Sequence, residues 1–130
     1  MIKQLLLTSS LSRLRYWTAI VLYLMILALG SVPGARQDIG YVASGLLLHS
    51  LAYAGLTFLL FTGSKGSLKQ RAVKAFLTIA LMGALDEVIQ SFFPYRHGTV
   101  TDWLVDCNAS LLTVAFMWAL WNRYRIQPSN

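Results

Sequence analysis

Of the 130 residues, 56% are hydrophobic and 12% charged, and the mean hydropathy is +0.56. Soluble domains carry about 25% charged residues, so this composition excludes an ordinary soluble domain and specifies a membrane protein. The net charge of +6 does not point to nucleic acid, because the basic residues are sorted by loop and gather on no single face.

Residues 16–35, 39–64, 75–85 and 107–122 carry no charge. A spanning helix needs about 20 residues, and the last two runs reach that length only by extending through Asp86 and Glu87 and through Asp106. The expected fold is therefore all-α. It is a single domain over 1–130 built as a small bundle of four transmembrane helices near 15–33, 41–62, 74–93 and 102–122.

The first dozen residues, with Leu5, Leu6, Leu7 and Leu11 beside Lys3 and Gln4, read as a short interfacial helix. Helix one has the Arg13 and Arg15 flank of a signal peptide, but its apolar run is too long for an h-region and further spans follow. It is therefore read as an uncleaved anchor. Gly63-Ser64-Lys65-Gly66-Ser67 reads as a flexible turn between helices two and three. Pro94 ends helix three, and Gly98 permits a tight turn before helix four. Trp17, Trp103, Trp118 and Trp121 fall near helix ends, as in an aromatic belt. The one cysteine, Cys107, lies within helix four, which leaves no intrachain disulfide and reads as apolar packing.

Nine basic residues lie before helix one, between helices two and three, and after helix four, whereas only Arg36 and Arg96 lie in the other two loops. Under the positive-inside rule this predicts both termini in the cytoplasm and the 34–40 and 94–101 loops outside.

Four of the five carboxylates, Asp86, Glu87, Asp102 and Asp106, fall late in the chain, where intramembrane charge is costly and marks function or packing. Residues three or four apart share a helix face. Helix two therefore carries a stripe of Gly45, His49, Ala52 and Tyr53. Helix three carries Ala80, Gly83, Ala84, Glu87, Gln90 and Ser91, and helix four carries Asp102, Asp106, Ala109, Ser110 and Thr113. Small residues allow close helix approach and polar ones avoid lipid, so the three stripes are predicted to face one another. Asp86 falls on another face, with Met82, Ile89 and Phe93. At 1.5 Å rise per residue, Glu87 lies about 10 Å below Pro94, Asp106 about 6 Å below the start of helix four, and His49 about 10–15 Å from the start of helix two. The predicted site is an outward-facing polar pocket of His49, Tyr53, Glu87, Gln90, Arg96, Asp102 and Asp106.

The run from Asp86 to Arg96, containing Glu87-x-x-Gln90 and Pro94-x-Arg96 and followed by Gly98 and Asp102, resembles the signature of VanZ-like membrane proteins. His49 and Tyr53 resemble that family's His-x-x-x-Tyr element. The likeness extends over about residues 16–122. It departs from the family where an Asp-Lys pair commonly precedes the His, which is Gly45-Leu46 here, where a usual Asn is Asp106, and where a following Gly is Ala109. The resemblance implies a four-helix bacterial inner-membrane protein of a family named for a glycopeptide-resistance accessory protein.

Two functions remain open from the residues. In one, Arg96 holds an anionic group of an envelope component, a lipid head group or a cell-wall precursor, with Glu87, His49 and Asp102 around it and acid–base chemistry within reach. In the other, the polar stripes only bind helices to one another or to a partner membrane protein, or join copies in an oligomer. Asp102 can also act as the N-cap of helix four. No HExxH or clustered His spacing points to a metal, and no cofactor is expected.

Overall fold

The computed structural model describes residues 9–35 and 44–124, and three of its four long helices start at a side chain that caps their first amide groups. A short 3-10 turn, Ser9–Leu11, leads into α1 (Ser12–Gly30), followed by α2 (Gly45–Gly63), α3 (Leu68–Ser91) and α4 (Val100–Tyr124). The expected interfacial helix of the first dozen residues lies outside the described residues apart from this turn, and most of the expected 34–40 loop does too.

All four expected helices are present, with shifted ends. α2 begins at Gly45 because Ser44 caps it, its hydroxyl accepting from the Leu47 amide at 3.2 Å. α3 begins at Leu68, six residues before its expected start. Ser67 and Gln70 form a reciprocal capping box there, so the segment read as flexible ends in a helix nucleus. α4 begins at Val100 because the Thr99 hydroxyl accepts from the Asp102 amide at 3.1 Å. The N-cap is therefore Thr99, and Asp102 occupies the first turn, where the helix dipole still favours a carboxylate.

α2 sits centrally and packs against α1, α3 and α4, whereas α1 lies mainly on α2. The apolar core gathers Tyr53, Leu56, Leu60, Phe61, Ala75, Ile79, Met117 and Trp121. Trp121 stacks edge-on against Phe61 at 5.4 Å between centroids, and Trp103 donates to the Ala80 carbonyl at 2.9 Å. These two tryptophans pack the bundle, leaving Trp17 and Trp118 as the exposed pair. Leu59 and Leu120 are partly buried against the core.

Three helices, α1, α2 and α4, are long and apolar enough to cross a membrane. α3 carries more charge, yet its outer face is apolar. Leu77, Leu81, Leu85 and Val88 line it, with Leu81 74% exposed, while Asp86 on the inner side is 4% exposed. Leucine outside and aspartate inside reverses the pattern of a water-soluble bundle and suits a lipid surround.

At the end of the bundle where α1 and α2 hold the opposite termini from the 92–99 connection, Arg15 is itself buried. Its Nε and Nη2 donate to the Thr62 carbonyl, at 3.3 and 3.0 Å, in the last turn of α2. A cation there meets the negative end of the helix dipole. A residue read from sequence as a topological flank thus also ties α1 to α2.

Candidate functional site

The polar residues meet in one layer near the end of the bundle formed by the C-termini of α1 and α3 and the N-termini of α2 and α4. The geometry begins with Gly98. A Cβ there would collide with the Glu87 carbonyl, with the carbonyl carbon 3.0 Å away, so only glycine lets the 92–99 segment lie directly on the α3 backbone. This close approach brings the Thr99 amide 2.7 Å from Glu87 Oε2. A capping box would draw that carboxylate from the third residue of the same helix. Here α3 supplies it, and the α4 N-terminus starts at the level of Glu87.

One turn deeper, Gly83 gives room for Asp106, whose Oδ2 would stand 3.0 Å from a Cβ at position 83. Asp106 is fully buried. Its Oδ1 lies 2.9 Å from His49 Nδ1, an α2–α4 bond in which the ring N–H donates to the carboxylate. The His49 ring lies 7° from parallel with Tyr53, at 6.1 Å between centroids. The Tyr53 hydroxyl in turn donates to Asp86 Oδ2 at 3.2 Å.

Asp86 is the residue that sequence reasoning placed elsewhere. It is buried beside Tyr53 because α3 packs against both α2 and α4, so its buried arc is wide enough to take neighbouring positions 86 and 87. Asp86 faces α2 while Glu87 reaches the start of α4. Tyr23 was also missed: it donates from α1 to the Met82 carbonyl at 2.9 Å, one turn below Asp86.

Of the seven predicted residues, His49, Tyr53, Glu87, Gln90 and Asp106 converge from α2, α3 and α4, all buried or nearly so. Asp102 is half-buried in the first turn of α4. Arg96 reaches across to α1, where Nη1 donates to the Gly30 carbonyl at 2.5 Å, and Tyr95 beside it donates to the Ser31 carbonyl at 2.6 Å. Both bonds fasten the 92–99 segment to the carbonyl end of α1, the end that attracts a cation.

Arg96, His49, Tyr53, Asp86 and Gln90 line a cavity of about 220 Å³ whose remaining wall is apolar, chiefly Ile26, Leu29, Leu48 and Ala52. Ile26, Leu29 and Ala52 also line a second, wholly apolar groove between α1 and α2, with Leu22, Met25, Leu51 and Phe58. The two spaces therefore adjoin along one side of the bundle, sharing Ile26, Leu29 and Ala52 as a wall. With its Nδ1 engaged by Asp106, His49 has Nε2 left to meet whatever enters the cavity, and the Gln90 Oε1 is buried with no hydrogen-bond partner among the described residues.

In comparisons with protein-family models, curated proteins and solved structures, the chain matches none.

Proposed function

We propose that this chain is a four-span inner-membrane protein of VanZ-like type, with both termini cytoplasmic, and that its polar cavity binds the head group of an envelope lipid or lipid-linked precursor. The cavity's position beside the apolar α1–α2 groove, with Ile26, Leu29 and Ala52 lining both, carries this reading. A space polar at one end and apolar along its length fits an amphiphile, head inward and chain toward the bilayer. Arg96 on the rim supplies a positive charge for an anionic group, and His49 and Gln90 supply hydrogen-bonding atoms. The His49–Asp106 pair orients the ring as a general base would be oriented, so proton transfer to or from the bound head group falls within the same arrangement.

The exposed leucine stripe on α3 supports the fourth span. Orientation is tested by single cysteines replacing His97 or Lys65, both exposed, in a Cys107→Ala background. A membrane-impermeant maleimide should label position 97 in intact cells and position 65 only after lysis, and the reverse pattern overturns the topology.

The scaffold reading has its own support: His49–Asp106, Tyr53–Asp86 and Glu87–Thr99 are all bonds between elements of the chain itself. Ala52→Phe separates the two, since Ala52 lines both the cavity and the groove. Native mass spectrometry of protein released from membranes should find a retained lipid on the wild type, and on Leu111→Phe at the exposed face of α4, but not on Ala52→Phe at equal abundance. Equal lipid retention by all three favours the scaffold and removes the binding site.

A further inference from the structure

We propose that His49, Glu87 and Asp106 form a binding site for one first-row divalent cation, Zn²⁺ or Mn²⁺, linking α2, α3 and α4. This goes beyond the lipid reading and does not rest on it. One donor atom from each of the three residues falls within 4.8 Å of the others. A metal with ligands at about 2.0–2.2 Å needs donor pairs roughly 3–4 Å apart, so donors separated by up to 4.8 Å close on an ion by side-chain shifts of about an ångström. The 2.9 Å between His49 Nδ1 and Asp106 Oδ1 already matches adjacent ligand positions of an octahedron.

The unpaired oxygens are the independent observation. Glu87 is 8% exposed and Asp106 0%. Each has one carboxyl oxygen held by a partner, Oε2 by the Thr99 amide and Oδ1 by His49. Each also has a second oxygen, Oε1 and Oδ2, that is buried with no hydrogen-bond partner among the described residues. Glu87, fixed by the Thr99 amide through one oxygen and open at the other, is placed as a monodentate metal ligand is by its surroundings, whereas Asp106 exchanges its bond to His49 for the shared ion. Two orphaned carboxylate oxygens in one buried layer are costly without a cation.

The donor set selects the class. One imidazole and two carboxylates suit Zn²⁺, Mn²⁺ or Fe²⁺, and the absence of a thiolate from the set disfavours Cu⁺. On binding, the proton on His49 Nδ1 moves to Nε2 by exchange with water, so the ring stays neutral, and Nδ1 becomes the ligand. The other ring nitrogen then carries the N–H, so a metal-loaded His49 presents a donor where the metal-free ring presents an acceptor.

The test uses the full chain in lipid nanodiscs, stripped with a chelator and titrated with Zn²⁺ by calorimetry and with Mn²⁺ by electron paramagnetic resonance. One ion per chain should bind, and the melting temperature should rise on loading. Glu87→Gln and Asp106→Asn each remove a charged ligand and should weaken binding by ~100-fold or more, the upper range already seen for residues that merely orient ligands. His97→Ala, at the chain's other, exposed histidine, should leave affinity and stoichiometry unchanged. Neither metal binding at one per chain, or both carboxylate variants binding as the wild type does, overturns the site. Should Asp106→Asn fail to accumulate, Glu87→Gln and the wild-type stoichiometry decide.

Discussion

Gly98→Ala should destabilise this bundle more than any other single-methyl change in the described loops, because the added methyl meets main chain. Its Cβ would collide with the Glu87 carbonyl and lie 3.0 Å from the carbonyl carbon and 3.4 Å from Glu87 Cα, atoms that no rotamer change can move. The 92–99 segment must lift off α3, at an overpacking cost of ~1–3 kcal/mol. Lifting it also stretches the 2.7 Å bond from the Thr99 amide to Glu87 Oε2, and a hydrogen bond to a charged group contributes ~1.5–3 kcal/mol. Together these give a loss of ~2.5–6 kcal/mol. The assay is equilibrium unfolding by sodium dodecyl sulfate in mixed micelles, followed by tryptophan fluorescence. His97→Ala next door, exposed, should change stability by less than ~0.5 kcal/mol. If the Glu87–Thr99 bond carries part of the cost, Gly98→Ala and Glu87→Leu, which removes the acceptor, together should cost less than the sum of the two, since the bond is lost only once. A Gly98→Ala protein that unfolds with the wild type, or costs that add fully, would refute the account of loop docking.

Two further outcomes follow from the packing. Tyr53→Phe removes the donor to Asp86 Oδ2 while keeping the ring beside His49, and should cost ~1–3 kcal/mol in the same unfolding assay because a buried carboxyl loses a partner. Leu81→Ala, at a side chain 74% exposed on the apolar face of α3, should cost less than ~0.5 kcal/mol in micelles; a cost of the ~2–5 kcal/mol seen for core leucines would show that this face packs against protein.

The helix count and the polar stripes were legible because both are local. Uncharged runs announce the helices, and spacings of three and four place His49 with Tyr53, Glu87 with Gln90, and Asp102 with Asp106. The helix starts were written in the sequence as well, in Ser67-x-x-Gln70 and in Thr99 before Asp102, but Lys65, Lys69, Arg71 and Lys74 give the first of these the look of a loop. Asp86 was misplaced for a geometric reason. A stripe drawn through Glu87 assumes one partner face, whereas α3 touches α2 and α4 on two sides and so buries adjacent positions. Arg15 and Arg96 could not be assigned locally, since their partners, Thr62 and Gly30, are 47 and 66 residues away.

The same distinction explains why a metal was not expected from the spacing of residues along any one helix. His49, Glu87 and Asp106 come from three helices, and only the rotation of each about its axis brings their donor atoms together. Once together they raise a charge problem. Asp86, Glu87 and Asp106 are buried at one end of the bundle, against the Arg96 guanidinium and the His49 ring. Replacing buried ion pairs with apolar residues of similar volume is often neutral or stabilising, so helix packing alone gives a weak reason to keep three acids there. A cation held between Glu87 and Asp106 supplies the missing positive charge, and leaves Asp86, hydrogen-bonded to Tyr53, as the acid that faces the cavity.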